Sequence, residues 1–218
     1  MDQMIPMMWE GVLETLYMTL TPTVLAYLIG TPLGVILIVT DEGGIRPCKP
    51  LHDVLGFFVN IFRSIPFIIL LFLMIPLTLL LVGTQVGSIA IIPPLTVSAA
   101  PYVARMVESS LKEVDAGVIE AAKSMGASTW QIIWKVLLPE ARPSLLIGAA
   151  IVMTTVLGYT AMAGMVGGGG LGAIAANYGY YRYEPVVMIV ATALIIVIVQ
   201  IIQELWMRSA KLSDKRIR

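Results

Sequence analysis

Apolar and polar positions along this chain fall into long blocks, without the short alternation of a half-buried strand. A helix crossing the hydrocarbon core of a membrane needs about 20 mostly apolar residues, so runs free of charge count the crossings. The run 15–40 is one such span, and Pro22, Gly30, Pro32 and Gly34 are expected to bend or loosen it. The run 64–104 is about twice the length of one span. Its turn-forming VGTQVGS, 82–88, divides it into spans two and three. The run 143–181 opens as a good helix, span four, and then meets GGGGLG, 167–172, where the glycines predict an irregular loop. The run 185–203 supplies span five.

Composition agrees. Of 218 residues, 58% are hydrophobic and 13% charged, far too apolar for an ordinary soluble domain. The mean hydropathy is +0.88. The expected fold class is an all-α integral membrane protein, one transmembrane domain over residues 1–218 with five membrane-spanning helices. A net charge of zero leaves no basic field to attract nucleic acid. The single cysteine, Cys48, can form no intrachain disulfide, and with the single histidine, His52, it falls short of a metal site. The opening MDQMIPMMWE carries Asp2 and Glu10 but no positive n-region, so no cleaved signal peptide is expected.

Lysine and arginine near span ends are retained in the cytoplasm. Five spans put the termini on opposite sides. With the N-terminus outside and the C-terminus cytoplasmic, 13 of the 14 basic residues lie inside, all but Arg182. Tyr178, Tyr180, Tyr181 and Tyr183 then form an outer aromatic belt with Trp9, and Trp206 sits at the inner interface.

That topology places a charged, patterned stretch, about 110–142, in the cytoplasm. Asp115 can cap a short helix on which Val118, Ala121, Ala122 and Met125 recur at helical spacing as a narrow, exposed ridge. Gly126 stands where a C-terminal cap with positive φ belongs, and Ser128 with Gln131 forms a capping-box signature for a second helix. On that helix Trp130, Ile133, Trp134 and Leu137 make a bulkier stripe suited to the span ends or the lipid interface, before Pro139 and Pro143 reset the direction. From physics alone the stretch is either an amphipathic connector lying on the membrane or a docking element. There is no G-x-x-x-x-G-K-[ST] loop, and GGGGLG has no following lysine, so any ATP would be bound elsewhere.

The arrangement Glu120-Ala121-Ala122, then Gly126, then Val136, Leu138 and Pro139 resembles the EAA loop of ABC importer permeases, with valine at 136 where isoleucine is usual. In that family the loop docks into a groove of a cytoplasmic ATPase. The resemblance therefore implies that Glu120, Ala121, Ala122 and Gly126 do so here, and Val118 and Met125 of the same ridge are expected to join them. Together with NIFRSIPFIILL, PLTVSAAPYVARMVE, KVLLPEARP and GYTAMAGMVGGGGLG, the loop is similar to the membrane subunit of bacterial methionine ABC importers. The similarity runs from about Trp9 to the last span. It implies a type I importer permease fold in the bacterial inner membrane and a homodimer. It also implies two ATPase subunits that hold ATP and magnesium, and an external binding protein delivering one or both methionine enantiomers.

Five helices without an internal repeat do not form two matched inverted halves, whereas a twofold dimer would supply ten around one axis. The charge-free runs carry no acidic residue or lysine to mark a proton relay. Met162, among Gly158, Ala161, Ala163 and Gly164, is either an apolar plug forming an outer gate on the dimer axis or a packing residue. Arg63 reads as an interfacial arginine at the start of span two, with a place on the path as the alternative. Arg105 and Glu108 read as a structural pair. A permease for a polar amino acid is the nearest rival, and a standalone channel or ion-coupled carrier a distant one. H-E-x-x-H and G-x-S-x-G are absent, which disfavours an intramembrane enzyme.

Overall fold

The structure, a computed structural model, describes residues 4–214; Asp2 and the C-terminal cations Lys215, Arg216 and Arg218 lie outside them. The described residues form helices and turns only. Helix α1, Met4–Thr40, is 37 residues long. At 1.5 Å per residue it extends about 55 Å, well beyond a hydrocarbon core of about 30 Å. The sequence run began at residue 15 because Glu10 and Glu14 interrupt the apolar pattern, yet both lie inside the helix. Thr15, Thr19 and Thr23 are buried on α1 and donate their hydroxyls to the carbonyls four residues back, at 2.7, 2.7 and 2.6 Å. Each satisfies itself without water.

Span two is not one helix. Helix α2, Lys49–Ser64, is amphipathic, with only Gly56 and Val59 buried. It meets α3, Phe67–Leu73, at a bend of 99°. Pro66 is the physical reason: the residue before a proline is pushed out of the helical region, and Ile65 adopts φ −79°, ψ 121°. A second break at Met74, just before Pro76, separates α3 from α4, Ile75–Val82. The turn at VGTQVGS is present, with Gly83 and Gly87 at positive φ. Helix α5, Ser88–Lys112, follows.

Next comes the segment 116–140. It comprises α6, Ala116–Ser124, α7, Thr129–Ile132, a π-helical turn Ile133–Leu137 and α8, Leu138–Glu140. Helix α9, Arg142–Gly164, leads to the glycine-rich turn. The predicted irregular loop is short, because at Gly170 the chain becomes helical again. It forms α10, Gly170–Ile174, and a second π-helical turn, Ala175–Tyr180. Helix α11, Pro185–Ser213, is 29 residues long, ten beyond the apolar run because its last turns carry Glu204, Arg208 and Lys211. Four helices, α1, α5, α9 and α11, are long and apolar enough to cross a membrane, and the bent α2–α3 pair brings the count to five if it is one span.

Helix α1 lies close against α5. A Cβ on Gly30 would fall 2.5 Å from the Ala100 carbonyl oxygen, and one on Gly34 the same distance from that of Ala104. Four residues apart, the two glycines share one face and let backbone meet backbone. One core cluster joins Met18 and Ala26 of α1 with Leu95, Val103 and Val107 of α5 and Val152 of α9, and it continues into Ala122, Ile132 and Leu137 of the 116–140 segment. A second surrounds Leu157, Leu171, Ala191 and Ile198 on α9, α10 and α11. Arg105 of α5 donates to Glu108 at 2.7 Å, to Asn60 Oδ1 at 3.0 Å and to the Gly56 carbonyl at 3.2 Å, fastening α2. This is the structural role expected for the pair.

Replacing Gly34 with leucine should separate α1 from α5, since the obstacle is backbone rather than a yielding side chain. The expected loss is about 1–3 kcal/mol or more, read as a lower melting temperature and less monodisperse protein after extraction from the membrane. Leucine at exposed Leu28's neighbour Ile29, by contrast, should be neutral.

Candidate functional site

Helix α6 starts where the Asp115 carboxylate accepts the Gly117 N–H at 2.7 Å, occupying one of the donors that a helix start leaves unpaired. It stops in a Schellman arrangement: Gly126 N–H donates to the Lys123 carbonyl at 2.9 Å and Ala127 N–H to that of Ala122 at 3.1 Å. Gly126 has the positive φ expected, +78°. The capping box is complete, with Gln131 N–H on Ser128 Oγ at 3.3 Å and Ser128 N–H on Gln131 Oε1 at 2.8 Å. Both helix breaks are therefore hydrogen-bonded.

The predicted ridge of four divides. Val118 and Met125, 42% and 81% exposed, face outward with Ala121, and Glu120 is exposed beside them. Ala122 is buried, packed with Ile119 against the main core. The apolar stripe is wider than the free face because the helix also has to seat itself on the bundle. The second stripe divides too. Ile133 and Leu137 are buried, as is Ile132, which the spacing did not select, while Trp130 and Trp134 stay more than half exposed. Their rings meet edge to face with centroids 5.3 Å apart. The π-helical turn before Pro139 has a local cause. Pro139 cannot donate to a carbonyl four residues back and its ring would strike it, so the ladder shifts, with Leu138 N–H bonding to the Ile133 carbonyl.

Two ties anchor the ends of this segment. Ser144 Oγ donates to Ser110 Oγ at 3.1 Å, linking the start of α9 to the end of α5. Lys112 Nζ donates to Asp41 Oδ2 at 3.0 Å. That hydrogen bond from Lys112 holds the Asp41 carboxyl below its usual range. His52 Nδ1 lies 3.0 Å from the Leu37 carbonyl oxygen, and Cys48 is exposed in the turn between α1 and α2.

At the other end of α9, Met162 is 42% exposed, while Ala163 and Gly164 beside it are buried. Arg63 stands at a cavity of about 190 Å³ lined also by Ser98, Tyr102, Thr155 and Tyr159. Its guanidinium carbon is 5.8 Å from the centre of the Tyr102 ring, and Phe67 stacks on Tyr159 at 4.7 Å. Sequence reasoning missed this cavity, whose lining comes from α2, α5 and α9. It also missed Glu14. That carboxylate accepts the Gly170 N–H at 2.6 Å, and Thr15 Oγ1 accepts that of Leu171 at 2.9 Å, so α1 caps α10 across 156 residues of chain. No local signal pairs two positions so far apart.

With this geometry in place, the sequence profile of the binding-protein-dependent transport system inner membrane components matches residues 30–211. The chain belongs to that family. The match starts at Gly30 on the α1–α5 contact and contains the whole 116–140 segment of this inner membrane component. It is 50% identical over 192 residues to the probable D-methionine transport system permease protein MetI of Vibrio cholerae, covering 88% of this chain and 85% of that one. It is 45% identical to the protein of the same name from Pasteurella multocida, over 98% of this chain and all of the other. Among solved structures, a chain of the MetNI methionine ABC transporter in inward facing conformations superposes with a TM-score of 0.97 at 46% identity. That superposition covers 99% of this chain and 100% of the other.

Nothing lies within 4 Å of a Cβ on Gly126, so a side chain there meets no obstacle and the cost is conformational alone. Alanine at 126 of this transport component should destabilise the α6–α7 turn by about 1–2 kcal/mol. The effect should appear as faster hydrogen exchange of the Ala127 amide, with the spans unchanged; unaltered exchange would show that the cap contributes nothing.

Proposed function

We propose that this chain is the membrane subunit of an ATP-driven importer of methionine, working by alternating access. The observation that carries it is the near-complete superposition on a chain of the MetNI methionine ABC transporter at 46% identity. The subunit is a single transmembrane domain over residues 1–218. It acts as a homodimer with two ATPase subunits, which supply the ATP and magnesium sites, and with an external binding protein that delivers the substrate. Its N-terminus lies outside and its C-terminus in the cytoplasm, a topology supported by the distribution of basic residues.

In this mechanism the α6 face formed by Val118, Glu120, Ala121 and Met125, closed by Gly126, docks on the ATPase. Ala122 faces the other way and transmits. When the ATPase subunits close on ATP, α6 moves as a stiff body, because both its ends are capped and its inner side belongs to the core shared with α1, α5 and α9. The spans follow and open outward to receive methionine. Met162 closes the outer end when the two copies approach, and hydrolysis resets the inward-open state.

The deciding measurement is ATP-dependent uptake of labelled methionine into vesicles holding the permease with its ATPase and binding protein. Methionine entry that requires both partners and withstands competing polar amino acids supports the proposal; entry of a polar amino acid instead would transfer the substrate assignment, and flux through the chain alone would overturn coupling. Met125→Asp or Glu120→Lys should lower uptake at least about tenfold by placing an unmatched charge on the docking face, while insertion and melting temperature stay unchanged. The topology has its own probe in Cys48, exposed and the single cysteine of the chain. A membrane-impermeant maleimide should label it in inverted vesicles and not in intact cells.

A further inference from the structure

A groove of about 750 Å³ runs along the side of the bundle between α1, α9 and α11. Val24, Leu28, Leu145, Leu146 and Trp206 form its walls, and Arg142, the first residue of α9, lines it as well. Two of the polar groups nearby are already engaged. The Thr23 hydroxyl donates to the Thr19 carbonyl at 2.6 Å, and the Trp206 indole N–H to Met153 Sδ at 2.8 Å. Arg142 is exposed, and no carboxylate pairs with it among the described residues.

The dimensions are informative. From Arg142 to Met153 the groove follows α9 for about 17 Å, and from Leu20 to Pro32 it follows α1 for about 18 Å, at 1.5 Å per residue. Half of a hydrocarbon core of about 30 Å is about 15 Å, the depth of one leaflet. An apolar channel one leaflet deep with a guanidinium at its start matches a phospholipid, whose acyl chain fills the channel and whose phosphate meets a planar donor fork. A second protein chain over the same face would have to desolvate Arg142 or bring an acid to it.

We propose that this groove holds an anionic phospholipid of the cytoplasmic leaflet, with its phosphate on Arg142 and one acyl chain between α1 and α9. The choice of leaflet rests on the topology proposed above, which the labelling of Cys48 tests separately. Because Arg142 joins the 116–140 segment to α9, the lipid stabilises the hinge between the docking face and a span.

The test uses the assembled transporter with its ATPase subunits, in nanodiscs of equal phosphatidylglycerol and phosphatidylcholine, followed by mild detergent transfer and mass spectrometry of the retained lipid. Phosphatidylglycerol should be enriched. Arg142→Gln should reduce that enrichment about fivefold. Val24→Trp, a substitution at an exposed wall position, should lower retention of both lipids. Phosphatidylglycerol carrying a photoreactive acyl chain should crosslink within residues 145–153. Equal retention of the two lipids by the unaltered protein, an Arg142→Gln variant with unchanged preference, or crosslinks confined to other faces would each overturn the proposal. So would a crosslink between two copies of this chain across the groove.

Discussion

Inside a bilayer, burying apolar surface gains little between helices because lipid is as apolar as they are, so association depends on how closely backbones can approach. Gly30 and Gly34 supply that approach for α1, against the carbonyls of Ala100 and Ala104 on α5. The rest of the bundle depends on it. Helix α1 carries Glu14 and Thr15 to the start of α10, and α5 carries Arg105 to α2 and Lys112 to the turn after α1. Two helices held at one glycine face thus position both ends of the molecule. The hydroxyls of Thr19 and Thr23 are turned back on α1 itself, while that of Thr15 donates within α1 and accepts from Leu171.

In the mechanism proposed above, the segment 116–140 passes motion into that scaffold. A connector lying loosely on the membrane would need neither a paired cap at each break nor a buried inner side. Here Asp115, Gly126 and Ser128 close the breaks, and Ala122, Ile132 and Leu137 belong to the same core as Val103 and Val152. A partner pressing on Val118 and Met125 therefore presses on the spans. The π-helical turn before Pro139 keeps the second half of the segment continuous where an ordinary helix would break.

The features legible in the amino-acid order were those whose causes are local. Caps are written within three or four residues, so Asp115, Gly126 and the Ser128–Gln131 box could be read directly, and so could the glycine turn before α5. Helix ends inside charged stretches could not: Glu10 and Glu14 masked the first three turns of α1, and Glu204 the last turns of α11. The 99° bend after α2 left a trace, Pro66, but a proline alone does not distinguish a kink from a full turn.

By itself, the sequence determined that this is a multi-pass helical membrane protein with a capped two-helix segment between its third and fourth spans, because hydrophobic run length and cap chemistry act over short distances. Its longer motifs also pointed to the transport family. Only the tertiary structure decided which side of each amphipathic stripe is free. Ala122 turns inward and Met125 outward though both fit one stripe, and Ile133 is buried while Trp134 is not. It alone brought Glu14 to Gly170 and Arg63 to the cavity beside Tyr102. The reason is physical: spacing defines which residues share a face, but which face meets a neighbour depends on contacts between residues far apart in the chain, and those exist only once α1 has closed on α5.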